Sequence, residues 1–209
     1  MPKKSAPKSP EEITVEDIFG EGGLLESRHP GYEFRASQLA MAEIVDEAFQ
    51  RHLHAIIEAG TGTGKTLAYL IPAIRSGRRV VISTATKSLQ EQLFSKDIPF
   101  LQKHFAPELK AVLMKGRNNF LCRQKVHQIE GQALFKGIDE VDWFSQIKQW
   151  EQLTDTGDRS ELTFLPDDSD LWNKIDARSD LCTGQKCPEF ARCFITTMKQ
   201  KAEQADIVI

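Results

Sequence analysis

Apolar positions along the chain fall into two periods. Ala55-Ile56-Ile57, Arg79-Val80-Val81-Ile82-Ser83-Thr84, Ala111 to Met114 and Ala205-Asp206-Ile207-Val208-Ile209 are short, β-branched runs, which predicts strands, the later ones buried in a parallel sheet. Between the runs the spacing turns helical. Leu39, Ala42, Val45 and Phe49 predict a helix over Gln38–Arg51 with Ser37 as N-cap, and Leu67 to Ile74 predicts a second in which Pro72 causes a kink or an early end. Trp143, Phe144, Ile147 and Trp150 predict the core of a small helical segment. Ile44-Val45-Asp46-Glu47-Ala48 imitates an apolar run ending in a metal-organising carboxylate pair, but Glu43 interrupts it and its neighbours keep a helical period, so the pair belongs to a helix face. Ile13 to Leu25 gives no clear element. The last residues read as the start of a strand with no continuation, so the chain reads as truncated.

Composition narrows the class. The chain has 209 residues, 40% of them hydrophobic, enough for one large or two small globular domains. A formal charge of -3 excludes bulk attraction to nucleic acid and leaves such contacts to local patches. Met1 to Pro10 is Lys, Ser and Pro without an apolar core, which predicts a disordered tail over 1–12 and not a signal peptide. No run of 18 apolar residues occurs, so the expectation is a soluble, cytoplasmic protein with no membrane partner.

The densest chemistry lies at Ala59-Gly60-Thr61-Gly62-Thr63-Gly64-Lys65-Thr66, between an apolar run and a helical segment. Its glycines let the backbone turn with N–H groups facing inward, and the following helix adds roughly half a positive charge at its N-terminus, so the loop suits a polyphosphate. Lys65 is placed to reach the β- and γ-phosphates of ATP, and the Thr66 hydroxyl to hold Mg2+. Ala59 stands where the general pattern has Gly, as in a helicase-type loop. Arg35 and Gln38, upstream, are candidates for the nucleotide, with the Gln38 amide suited to the N6 and N7 edge of adenine; a solvated helix cap is the plainer reading. Thr84, Thr86, Lys87 and Gln90, where a strand gives way to a helix, are candidate contacts to a phosphate backbone, or simply a helix cap with exposed glutamines.

Four cysteines form the second constellation. Cys122 stands alone, and Cys182, Cys187 and Cys193 follow 60 residues on in steps of five and six. Without a secretory signal they read as metal ligands, for either tetrahedral zinc or an iron-sulfur cluster. Paired knuckles are missing, which leans toward the cluster. Charge changes around them: residues 110–130 carry a local +4, including Lys115 and Arg117, residues 138–170 a local -8, and residues 171–204 a local +2. Two basic patches flanking an acidic stretch suit a nucleic-acid-binding face with a repelling back, or an ordinary solvated surface.

Taken together, Ala59 to Thr66, Arg35 with Gln38, Ser83 to Leu93, Lys115 to Cys122 and the Cys182/Cys187/Cys193 trio resemble the first half of an XPD/DinG-type iron-sulfur helicase of superfamily 2, in its bacterial DinG and YoaA branch. The resemblance runs from about residue 16 to the end. It implies an α/β fold in which a RecA-like phosphate-loop domain, a parallel sheet flanked by helices, covers 13–109. A mainly helical iron-sulfur domain is inserted over 110–204, and 205–209 begins the returning strand. It further implies ATP, Mg2+ and a 4Fe-4S cluster held by Cys122, Cys182, Cys187 and Cys193. By the same match Gln38 reads adenine, Thr84 to Gln92 touch DNA, and the activity is 5′ to 3′ movement on single-stranded DNA with unwinding of forked DNA in repair and replication stress. Protein partners stay unspecified. The family's Asp-Glu-Ala-His box and second RecA-like domain are not in these residues, which are therefore expected neither to hydrolyse ATP nor to unwind DNA alone. A nucleotide-switched, metal-containing DNA-binding or redox-sensing module is the competing reading.

Overall fold

The computed structural model describes residues 13–130, 135 and 137–209; the tail expected over 1–12 lies outside them. The chain divides into two compact units, one running up to Ala111 and completed by Ala205–Ile209, the other Val112–Gln204.

In the first unit, the unassigned stretch after Ile13 forms two short helices. α1 (Val15–Phe19) begins at a capping box: the Thr14 hydroxyl accepts from Asp17 N–H at 3.1 Å, and Asp17 accepts from Thr14 N–H at 2.8 Å. It buries Val15, Ile18 and Phe19, and α2 (Leu24–Arg28) buries Leu25. α3 (Ala36–Arg51) starts earlier than expected, with Arg35 and not Ser37 at the cap, because extended backbone ends at Arg35. Asp46 and Glu47 lie on this helix, where Asp46 pairs with Arg75 and Glu47 with Arg51, as their helical surroundings predict.

α4 (Lys65–Arg75) follows the glycine-rich loop and packs on α3. It does not end at Pro72. The ring is buried on the core face and the helix continues for less than a turn beyond it, so few carbonyls lose a donor.

The sheet has three strands in the order β1 (Val80–Val81), β3 (Ile207–Val208), β2 (Ala111–Val112). β1 and β3 are parallel, with Val80 opposite Ile207 and Val81 opposite Val208. β3 is buried, whereas Val81 is 74% exposed, so the run at 79–84 is parallel but not buried. Its position at the sheet edge leaves one flank without a strand. Ala55-Ile56-Ile57 forms no strand: Ile56 is fully exposed, and neither flank of the described sheet receives this segment.

Past β1, α5 (Lys87–Gln92) leads through a π-helical turn, Leu93–Asp97, into α6 (Ile98–His104). The π turn packs against α4 and buries Leu93. It also holds Asp97, whose Oδ2 is buried without a hydrogen-bond partner.

The second unit contains α7 (Arg123–Ile129), α8 (Ile138–Leu153), α9 (Asp170–Ile175) and α10 (Phe194–Glu203), tied by isolated antiparallel bridges Phe120–Asp158 and Leu121–Asp176. Phe144 and Ile147 join Val126, Leu171 and Ile175 in its main core, with Trp143 and Trp150 packed against them, so the aromatic run of α8 is core. No helix among the described residues is long and apolar enough to cross a membrane.

Burial pushes the Asp97 carboxyl above the usual aspartate range, against opposing effects of a Gln92 hydrogen bond, Lys96 and His29. A raised folded pKa contributes stability that is present below the unfolded value and is lost as pH rises through the folded value. Asp97→Asn is therefore expected to raise the melting temperature at pH 7 and to leave it unchanged below the ordinary aspartate range. Thermal unfolding across pH checks this.

Candidate functional site

The glycine-rich loop forms the phosphate cradle. Gly62 and Gly64 adopt φ of 76° and 78°, so two left-handed residues bring the chain round and deliver it to the first turn of α4. Lys65 folds back over the loop, and its Nζ donates to the carbonyls of Ala59 at 2.7 Å and Gly60 at 2.8 Å. Those acceptors place the ammonium against the loop itself. Thr63 closes the turn by donating to Gly60 O at 3.0 Å, and Thr61 is exposed. The side chains of Thr66 and Tyr69 hydrogen-bond; burial is the main influence on the Tyr69 phenol and pushes it up, with that bond acting against it.

Arg35 and Gln38 reach the loop from α3. Arg35 Nη1 donates to Gly62 O at 2.9 Å, and Gln38 Nε2 to Gly64 O at 2.9 Å. Both left-handed glycines are thus clamped through their carbonyls. Gln38 is only 2% exposed, and its Oε1 is buried without a partner. That oxygen is an acceptor suited to an amino group such as adenine N6, and Nε2 has a second N–H beyond the one given to Gly64 O.

The other candidate contacts in this unit are placed as follows. Thr86 caps α5, accepting from Leu89 N–H at 3.2 Å, and Thr84 donates to Thr86 O at 3.1 Å. Lys87 is exposed at the start of α5, while Gln90 Nε2 donates to Ile209 O at 3.1 Å.

In the second unit all four cysteines line one cavity of about 790 Å³, along with Arg117 and Lys125. None is in a disulfide. Cys122 is the N-cap of α7, and its N–H donates to Ile175 O at 2.8 Å. The trio ends three successive 3₁₀ turns, Ser179–Leu181, Gly184–Lys186 and Phe190–Arg192. Each cysteine N–H closes its turn, to Ser179 O at 2.9 Å, Gly184 O at 3.0 Å and Phe190 O at 3.3 Å. Steps of five and six residues are what one such turn plus a short connection occupies.

Two cations affect the thiols. A hydrogen bond from Arg117, then one from the Gly184 backbone, holds the Cys182 thiol below its usual value, with Lys125 helping. Burial pushes the Cys122 thiol up, and the nearby Cys187 and Cys193 add to the rise, while Lys125 opposes it. Among the described residues no three His, Cys, Asp or Glu side chains are gathered as a single metal ion requires. A lone zinc needs its sulfurs about 2.3 Å from one point. By donor type alone, four thiols on the wall of one cavity are the ligands that either zinc or an iron-sulfur group takes.

Several charges of the basic and acidic blocks are paired within the unit: Lys115 with Asp158 at 2.7 Å, Arg123 with Glu151, Lys125 with Asp176 at 3.7 Å and Lys174 with Glu140 at 3.4 Å. Lys115 is 3% exposed in this pairing, so its ammonium does not stand on an open surface, while half-buried Arg117 lines the cavity and its Nε donates to Ala177 O at 2.9 Å. Glu151 was missed as a site residue, yet its signal was present. On α8 the buried positions are Glu140, Phe144, Ile147 and Glu151, a helical stripe with carboxylates at its ends.

A phosphate cradle on a helix N-terminus, clamped by an arginine and a glutamine from the preceding helix, marks a nucleotide-binding α/β domain. The chain carries a DEAD/DEAH box helicase domain, matched over residues 38–134, and is homologous to the YoaA and DinG helicases. It is 37% identical over 198 residues to the ATP-dependent DNA helicase YoaA of Haemophilus influenzae and 38% over 196 residues to that of Escherichia coli. It is 36% identical over 184 residues to the 3'-5' exonuclease DinG of Bacillus subtilis. These alignments cover 95%, 92% and 86% of the chain but 31%, 30% and 20% of the relatives, so the chain spans about a third or less of their length.

Gly64→Ala would bring a Cβ within 2.2 Å of Gln38 Nε2 at a left-handed φ. The expected cost is about 1–3 kcal/mol of stability in chemical denaturation. Gly22→Ala, also left-handed but with no atom near its Cβ, should cost less.

Proposed function

We propose that these residues form the ATP-binding and iron-sulfur part of an ATP-dependent DNA helicase that moves 5′ to 3′ on single-stranded DNA and opens forked duplexes. The observation that carries the reading is the convergence of four unpaired cysteines on one cavity, in a chain whose other unit holds a clamped phosphate loop. In this reading Lys65 exchanges the Ala59 and Gly60 carbonyls for the β- and γ-phosphates. The Thr66 hydroxyl turns to Mg2+, and Gln38 keeps Gly64 in place while offering Oε1 to the base. Thr84, Thr86, Lys87 and Gln90 lie beside the DNA backbone. Cys122, Cys182, Cys187 and Cys193 would hold a 4Fe-4S cluster, which supplies a rigid, redox-capable anchor for the second unit, with Arg117 and Lys125 offsetting thiolate charge.

ATP turnover by the intact protein is the test. Single-stranded DNA should stimulate hydrolysis, and Lys65→Ala should lower it on the order of 100-fold or more without changing metal content. Turnover indifferent to DNA would remove the motor reading.

A further inference from the structure

Arg123 follows Cys122 directly and reaches both neighbours of Cys193. Its Nε donates to the Arg192 carbonyl at 3.0 Å, and its guanidinium lies 4.3 Å from the centroid of the Phe194 ring. Glu151 of α8 holds that guanidinium in a buried ion pair, its own side chain 2% exposed, and Arg192 Nη2 stands 4.0 Å from the same carboxylate oxygen. A second contact from the segment after α8 acts on the same two strands of chain. Gly157 O accepts from Leu121 N–H at 2.9 Å, beside Cys122, and a Cβ on Gly157 would come within 2.3 Å of Phe194 Cδ2. A buried ion pair gives little net stability over apolar side chains of equal size, but removing either partner leaves the other charge buried alone, which holds the two groups to each other.

We infer that Glu151 is a positioning residue for the thiol cavity: by holding the Arg123 guanidinium it sets the Cys122 segment against the Cys193 segment before any metal arrives. The inference rests on the reading of the cavity as a cluster site, but it concerns the protein's own geometry and can be tested without metal. In intact protein carrying Cys182→Ser and Cys187→Ser, diamide takes two electrons and two protons as the remaining thiols join, and the rate of Cys122–Cys193 disulfide formation reports their approach. Glu151→Gln should slow it roughly tenfold. Where Glu151→Gln unfolds the unit, Arg123→Met with Glu151→Met keeps the packing without the bond, and should be as slow while the melting temperature holds. Lys148→Gln, on the same helix but paired with exposed Glu130, should react at the parent rate. With all four cysteines present, Glu151→Gln should also lose iron faster to a chelator. Equal disulfide rates in the parent and the Glu151 variants would overturn the inference. A parent protein that binds no iron would remove the cluster reading alone, and the disulfide rates would still decide the role of Glu151.

Discussion

The described sheet depends on one strand made by the last residues of the chain. Val80 N–H donates to Asp206 O and Ile82 N–H to Val208 O on one side, each at 2.8 Å, while Asp206 N–H donates to Lys110 O at 2.8 Å on the other. Lys110 N–H donates in turn to the Asp206 carboxylate at 2.8 Å. Remove residues 206–208 and β1 and β2 have no ladder between them. Because the chain leaves at β2 and returns at the neighbouring β3, the residues between these strands can fold around their own core while β2 and β3 stay neighbours.

Within the second unit, isolated buried carboxylates are costly unless paired. Asp158, Glu151 and Asp176 are all buried, and each meets a cation from a flanking segment. Lys125, paired with Asp176, and Arg117 line the same cavity as the four thiols.

Much of the site was legible because it is local. The candidate phosphate loop is a single run of alternating glycines followed by Lys65 and Thr66, and the cysteine trio sits on consecutive tight turns, so both could be read from spacing. The buried end strand and the aromatic core of α8 were equally plain from their periods. What could not be read depends on distant partners. Ala55-Ile56-Ile57 has strand composition, but a strand requires a neighbour that composition does not supply. Val81 looks buried by type and is exposed by its place at an edge. The Gln38 contact to the Gly64 carbonyl, 26 positions away, has no local signal. Asp17, at the third position after Thr14, was a local capping signal that went unread because Glu or Gln usually fills that place.

The central claim is that four thiols from segments 60 residues apart meet to hold one iron-sulfur centre. Iron and acid-labile sulfide analysis of the intact protein, purified without oxygen and accompanied by its visible spectrum, tests this most directly. About four irons and four sulfides per chain are expected, with a broad absorbance in the visible that disappears when Cys122 is replaced by Ser. Stoichiometric zinc with no iron, or a colourless protein holding no metal, would contradict it.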